Sequence, residues 1–257
     1  MKHPRFYRHR AKEWLAALQG SLRFAGWSFG LLPRPAEDPE CSVVFWDGQP
    51  RTSSCHVRRL MNFWSQWPQH RKESDACFQA YRGGDVIDVG SHDGWYACLL
   101  APKLGGTMVL IEPDGGHFPR LFTILASLQR TFPKKCFLLV PRACSNAPTL
   151  NLQRSGEQLL PAAGSDNPKS YPAVSLDEIS ETLRISPAFV KIDVEGHELA
   201  VLQSGQRILT RHRPVLMVEM HGPEIRSQTS AWLAGFSYHE QVIYTEDGIT
   251  RAIFRPG

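Results

Sequence analysis

The feature that most constrains this chain is a succession of short apolar segments, each closing on a small polar cluster and each parted from the next by a stretch of helical spacing. DVIDVG (85–90), TMVLIEP (107–113), CFLLVPRA (136–143), AFVKIDV (188–194) and PVLMVEMH (214–221) have the length and side chains of buried strands. Between them, ESDACFQAY (73–81), WYACLLAPKL (95–104), residues 118–131 and HELAVLQSGQRIL (197–209) read as helices. Apolar strands alternating with helices specify an α/β fold with a parallel sheet covered on both faces. With 42% hydrophobic residues in 257 positions, the chain can bury one such core. VIYTEDGITRAIFRP (242–256) adds a hairpin, turning at Glu246-Asp247-Gly248.

In sheets of this kind, ligands bind beyond the carboxyl ends of the strands. The polar residues gather there: Asp88, Gly90 and Gly94 after the first strand, Glu112 after the second, Asp193, Glu195 and His197 after the fourth, Glu219 and His221 at the end of the fifth. Glycines between a strand and a helix let the backbone approach a ligand, and an acid at the end of the next strand suits a ribose. The run from Asp88 reads D-x-G-x-x-x-G rather than G-x-G-x-x-G, so the pyrophosphate turn is incomplete. A nucleoside without pyrophosphate fits better, and S-adenosylmethionine is the obvious one.

The rest of the sequence narrows the class. No window offers the roughly 18 uninterrupted apolar residues of a spanning helix. A basic start followed by an apolar-leaning stretch imitates a signal peptide, but Gln19, Ser21 and Arg23 interrupt it, so a cytoplasmic location is expected. The six cysteines form no C-x-x-C pair and signal neither zinc nor a disulfide framework. Charge is uneven: residues 1–72 hold 12 Lys/Arg against 5 Asp/Glu, residues 73–257 hold 17 against 20. We therefore expect a basic N-terminal extension over 1–72 and the main domain over 73–257. Within the extension, Leu15, Leu18, Leu22, Ala25 and Phe29 mark one apolar helix face, for docking on the main domain or, alternatively, for peripheral contact with an anionic membrane. LLPRPAEDPE (31–40) reads as a connector and residues 41–60 as a hairpin turning at Asp47-Gly48. The mildly acidic main domain and the lack of a reading motif argue against nucleic acid.

DVIDVGSHDGWYA, VLIEPD, VSLDEI, FVKIDVEGHELAVLQSG and RPVLMVEMH occur in an order and spacing that resembles the FkbM-like S-adenosylmethionine-dependent methyltransferases, over roughly residues 73–222. The resemblance implies a Rossmann-like class I methyltransferase fold: a seven-stranded, mostly parallel sheet with helices on both faces and its last strand antiparallel. It makes Asp88, Gly90 and Gly94 the loop around the methionine end of the cofactor, and Glu112 the ribose ligand with Pro113 and Asp114 shaping its turn. Ala143 falls where the adenine is contacted, although Arg142 stands beside it where an acid is commoner. Ser91 and His92 replace the Ala-Asn usual in the cofactor loop.

Methyl transfer from a sulfonium demands mainly in-line positioning. An alcohol acceptor adds the need for a base. We expect Asp193, Glu195 and His221 to be catalytic, with His197 a further base candidate and Asp193 also serving the cofactor's amino group. The expected reaction is O-methylation of a hydroxyl on a sugar, glycolipid or secondary metabolite, so the partner is a small-molecule or glycan acceptor. One rival reading takes Asp193, Glu195, His197 and Glu219 as Mg²⁺ ligands of a hydrolase or metal-assisted methyltransferase; it is not favoured, and no metal ligand is assigned. Another is a cofactor-binding module without catalysis. LQRSGEQLLPAAGSDNPKSYPAV (152–174), polar and rich in turn formers, reads as a loop near the cleft that helps select the acceptor.

Overall fold

A computed structural model describes residues 39–156, 158–162 and 168–257. The helix expected over residues 15–29 and the connector as far as residue 38 lie outside the described residues. The described chain opens with a hairpin, β1 (Glu40–Val44) against β2 (Pro50–Ser54), that ends at Ser54 rather than at residue 60 as expected. Helix α1 (Cys55–Ser65) follows at once, its start fixed by the Ser54 hydroxyl, which accepts the Val57 N–H at 3.3 Å. Helix α2 (Pro68–Ala80) runs across the division expected between residues 72 and 73, and Glu40–Gly257 form one compact unit.

The alternation then proceeds as β3 (Asp85–Val89), α3 (Trp95–Leu100), β4 (Thr107–Ile111), α4 (Phe118–Thr131) and β5 (Cys136–Val140). After four short strands, β6 (Ala143–Cys144), β7 (Thr149–Ser155), β8 (Gln158–Pro161) and β9 (Lys169–Val174), it resumes with α5 (Leu176–Leu183), β10 (Pro187–Ile192), α6 (Glu198–Gln203), α7 (Gln206–Arg211), β11 (Val215–His221) and α8 (Pro223–Ala234). The chain ends in the expected hairpin, β12 (Tyr238–Glu246) and β13 (Ile249–Pro256).

Seven strands form the main sheet in the order β12-β13-β11-β10-β3-β4-β5, with β13 antiparallel to both neighbours and the run from β11 to the edge strand β5 parallel. This is the Rossmann-like class I arrangement that the resemblance implies. The chain winds one way from β3 and the other way from β10, so the order reverses between these two neighbours, and there a cleft opens.

Period-two alternation sorts the strand residues onto two cores. Val86, Met108, Leu110, Phe189, Met217 and Ile253 face α1–α4, whereas Ile87, Val109, Val190, Ile192, Val218 and Phe254 face α5–α8. By the same alternation Asp88, Lys191, Glu219 and Arg251 fall on the first face, at the cleft end of β3, β10, β11 and β13. Four neighbouring strands thus carry a row of alternating charge, acid, base, acid, base, where the sequence otherwise places apolar residues.

Two expectations are corrected. HELAVLQSGQRIL is two helices, parted at Ser204-Gly205: a Cβ on Gly205 would lie 2.9 Å from Leu176 Cδ1, and the Ser204 hydroxyl accepts the Leu176 N–H at 3.1 Å. The start of α5 occupies the space a continuous helix would need. Residues 152–174 are not a loop but, where described, largely strands of a four-stranded sheet ordered β6-β9-β7-β8. Leu150, Leu152, Tyr171 and Ala173 recur at every second position of β7 and β9 and pack into a third small core, a pattern masked by the surrounding turn formers.

Candidate active site

A cavity of about 630 Å³ opens at the strand reversal. Its wall runs from the glycine loop and Glu112, past Ala143 and the β7–β8 hairpin, to Asp193, Glu195, Glu219 and Arg251, and is closed on the far side by Trp64, His70 and Glu73 of α1 and α2. Among the described residues, seven acids and three Lys/Arg line it, an acidic enclosure in a protein of net charge +4.

The glycine loop is held by contacts that only glycine allows. Gly90 has φ +73, and a Cβ there would sit 1.8 Å from the Asp193 carbonyl oxygen, so the loops after β3 and β10 touch backbone to backbone. His92 also lies in the left-handed region, at φ +47. Its N–H and that of Asp114 each donate to one oxygen of Glu112, at 2.9 and 2.8 Å, fixing the carboxylate and leaving each oxygen a lone pair toward the cavity. Burial raises the Glu112 pKa above the ordinary carboxylate value. Ser91, His92, Pro113, Arg142 and Ala143 line the wall.

Asp88 and Gly94, expected among the cofactor contacts, stand outside that wall. Gly94, at φ +82, caps α3. Asp88 is fully buried beneath the loop, where Lys191 Nζ lies 3.5 Å from its carboxylate and 3.4 Å from that of Asp193, and donates to the Gly90 carbonyl at 2.7 Å. Burial opposes the charge on Lys191, but Asp193 and Asp88 outweigh it and raise its pKa. Burial likewise pushes the Asp88 carboxyl up.

At the other end Arg251 donates through both Nε and Nη2 to Glu219, with Nε to Oε2 at 2.9 Å, and Nε lies 3.2 Å from Glu73. The Tyr96 and Tyr244 hydroxyls donate to Glu73, the latter at 3.2 Å. Burial, with the Asp193 charge behind it, pushes Glu219 up to about 8.

Asp193 and Glu195 reach the cavity, and His197 lines it with a pKa lowered by burial. His221 stands one layer behind: its Nε2 is 3.1 Å from Glu195, 3.7 Å from Glu219 and 3.9 Å from Asp193, while Nδ1 is 2.8 Å from Glu198. Burial works against its charge, but the hydrogen bond to Glu198 and the surrounding carboxylates raise its pKa to about 9.

A family model described as the methyltransferase FkbM domain matches residues 88–243, more than half of the chain. The chain belongs to the FkbM methyltransferase family. Enzymes of this kind take their methyl group from S-adenosylmethionine, the cofactor expected from the glycine loop and Glu112. Among solved structures, the FkbM methyltransferase of Methylobacillus flagellatus is similar with a TM-score of 0.55 at 17% identity, over 79% of this chain and 55% of that one. The chain thus spans about half the length of that protein. An O-methyltransferase from Bacillus cereus in complex with SAH gives a TM-score of 0.48 at 13% identity, over 77% and 89% of the two chains. A putative tRNA (m1A22) methyltransferase from Streptococcus pneumoniae in complex with S-adenosyl-L-methionine gives 0.46 at 15% identity, over 73% and 72%. Comparison with curated proteins finds no match.

The FkbM match ends before Arg251 and begins after Trp64, His70 and Glu73. The cofactor end of the cavity therefore lies within the shared domain, whereas much of the opposite end is built from segments flanking it. None of those four residues was singled out from sequence. Period two along β13 would have put Arg251 on the cleft face, but nothing local marks Glu73, whose partner Tyr244 lies 171 positions away.

The residues fit the cofactor: a carboxylate with free lone pairs at the end of β4, a backbone loop packed too closely for side chains, and an excess of acids against a sulfonium and an ammonium. The Mg²⁺ reading takes Asp193, Glu195, His197 and Glu219 as ligands, but among the described residues the set whose ligand atoms all lie within 4.8 Å of one another is Asp193, Glu219 and His221. Their charge is already met by protein groups, Lys191 against Asp193, Arg251 against Glu219 and Glu198 on the His221 ring. Oxygen-rich coordination is Mg²⁺'s preference, and an imidazole in the set suits it poorly.

Proposed function

We propose that this FkbM-family enzyme O-methylates a hydroxyl of a sugar, glycolipid or secondary metabolite, with S-adenosylmethionine held between the glycine loop and Glu112. The observation that carries the reading is the single continuous cavity joining that loop to the acids after β10. When bound, the cofactor supplies an electrophilic methyl group on a sulfonium. The chain's part is to place and prepare the nucleophile: Glu112 orients the ribose, Gly90, Ser91 and His92 approach the methionine end, and Ala143 with Pro113 flanks the adenine. Asp193 and Glu195 face the acceptor, whose hydroxyl proton must leave as the new bond forms. Trp64, Trp95 and His70 offer ring faces and polar edges to an acceptor entering from the α1–α2 side, a lining suited to a polyhydroxylated ring.

The acidic wall supports a neutral acceptor over a phosphodiester backbone, so nucleic acid is not favoured. No helix of the described residues is long and apolar enough to cross a membrane; we place the enzyme in the cytoplasm, with peripheral membrane contact through the basic N-terminal segment as the alternative. The test is calorimetric titration with S-adenosylmethionine, S-adenosylhomocysteine and NAD, followed by transfer of labelled methyl to hydroxylated glycans and metabolites. Binding of NAD in place of the adenosyl compounds would sink the reading.

A further inference from the structure

The sequence assigns His221 as a base, yet the ring lies behind the cavity wall and meets carboxylates at both nitrogens. On one side is Glu198, at the start of α6, whose side chain is 0% exposed. Its Oε1 accepts the Gly196 N–H at 2.9 Å and lies 2.8 Å from His221 Nδ1, so it is rigidly placed. On the other side His221 Nε2 lies 3.1 Å from Glu195 Oε2, while Glu195 Oε1 accepts from the Gln158 amide at 2.6 Å. Glu195 is itself in the left-handed region at φ +55, a conformation that costs a non-glycine residue energy and that the surrounding bonds sustain.

A ring that faces one carboxylate at each nitrogen satisfies both only as the doubly protonated imidazolium, which donates twice. Resting on the methyltransferase reading above, we propose that His221 is a fixed imidazolium rather than a base, and that Glu198 and His221 are positioning residues which hold the Glu195 carboxylate ionised as the proton acceptor for an acceptor hydroxyl. The hydroxyl proton passes to Glu195, which becomes neutral, and the charge on His221 is unchanged through the step.

The electrostatics agree. Burial and the neighbouring Asp193 raise the Glu195 pKa, and His221 is the largest influence drawing it back down. The groups facing His221 are Glu198 from α6, Asp193 and Glu195 from the loop after β10, and Glu219 from its own strand, with Lys191 and Arg251 beyond the last acids on β10 and β13. Among the described residues, the ionisable groups within 4 Å of the ring are all carboxylates, so the ring keeps its second proton at neutral pH.

The test is ¹⁵N NMR titration of the histidine rings in the full chain, with Glu198→Gln for comparison. The expected result is a His221 ring protonated at both nitrogens at pH 7.5, losing a proton only near pH 9, and a proton affinity lowered about tenfold or more in the variant, one pKa unit. A singly protonated ring at pH 7.5 in the wild type overturns the proposal, as does a titration that Glu198→Gln leaves unmoved. Should that variant not fold, Glu195→Gln, at the cavity wall, is expected to lower the same titration by removing the other partner. S-adenosylmethionine calorimetry on the same samples separates the two questions: failure to bind removes the methyltransferase reading, whereas an imidazolium absent from a protein that binds removes only the clamp.

Discussion

Lys191 donates to the Gly90 carbonyl at 2.7 Å from below, so the one cation on β10 fastens the loop after β3 to the floor of the cleft. The same ammonium lies 3.5 Å from the fully buried carboxylate of Asp88. Removing one member of a buried pair leaves the other charge uncompensated. Lys191→Met is expected to cost about 3–5 kcal/mol of stability, read by urea denaturation. The double variant Lys191→Met/Asp88→Asn should recover part of that loss, because the orphaned charge is gone. Equal stability of the two variants would show that the pair is not coupled.

Glu112 receives two backbone N–H groups and retains lone pairs toward the cavity. Glu112→Ala is expected to weaken S-adenosylmethionine binding by roughly 2–3 kcal/mol through lost charge-assisted hydrogen bonds. Calorimetry on a variant with native circular dichroism checks this. Unchanged affinity would remove the ribose assignment.

Much of this architecture was legible because it obeys local periodicity. The five parallel strands, α4 and the closing hairpin follow from apolar spacing and turn residues, and the glycine loop from its place between a strand and a helix with Glu112 at the end of the next strand. What was not legible lies in contacts between distant positions. His221 is at a strand end, where a base is reasonable, but only the approach of Glu198 and Glu195 from either side shows why its charge is locked. Glu198 opens α6, and nothing in its neighbours along the chain marks it as fully buried. The strands of residues 149–174 were hidden because their few apolar positions are diluted by polar residues and turn formers, leaving the small core they share invisible to a local window.

Stability should fall as the pH rises from neutral. His221 has its pKa raised from 6.5 to about 9, and Glu219 from 4.5 to about 8, so the native state holds both protons more tightly than the unfolded chain. Stabilisation from such groups is complete below the unfolded pKa and lost through the folded one. From pH 6.5 to 9 the His221 contribution alone is about 2 kcal/mol after discounting for partial exposure. A melting temperature that rises over this window would contradict both shifts.

A chelator is expected to leave methyl transfer unchanged, and added Mg²⁺ to give no increase, because Lys191, Arg251 and Glu198 already occupy the partners a metal would need. Loss of activity on chelation with recovery by Mg²⁺ would reinstate the rival reading of Asp193 and Glu219.

The β7–β8 hairpin is fastened to both rims of the cleft: Arg154 to Asp114 after β4 at 2.5 Å, and Gln158 to Glu195 after β10 at 2.6 Å. Leu152 and Leu159 of this hairpin face the cavity between those ties. A strap so placed sets the rate at which a ligand beneath it leaves. Arg154 is half exposed, so its ion pair contributes little to global stability, within about 1 kcal/mol. Arg154→Ala should therefore speed S-adenosylhomocysteine release several-fold in stopped-flow displacement while the melting temperature barely moves. The Arg154→Ala/Gln158→Ala pair should release faster still, since both ties are then cut. A dissociation rate untouched by the double variant would mean that the hairpin covers the cleft without controlling passage into it.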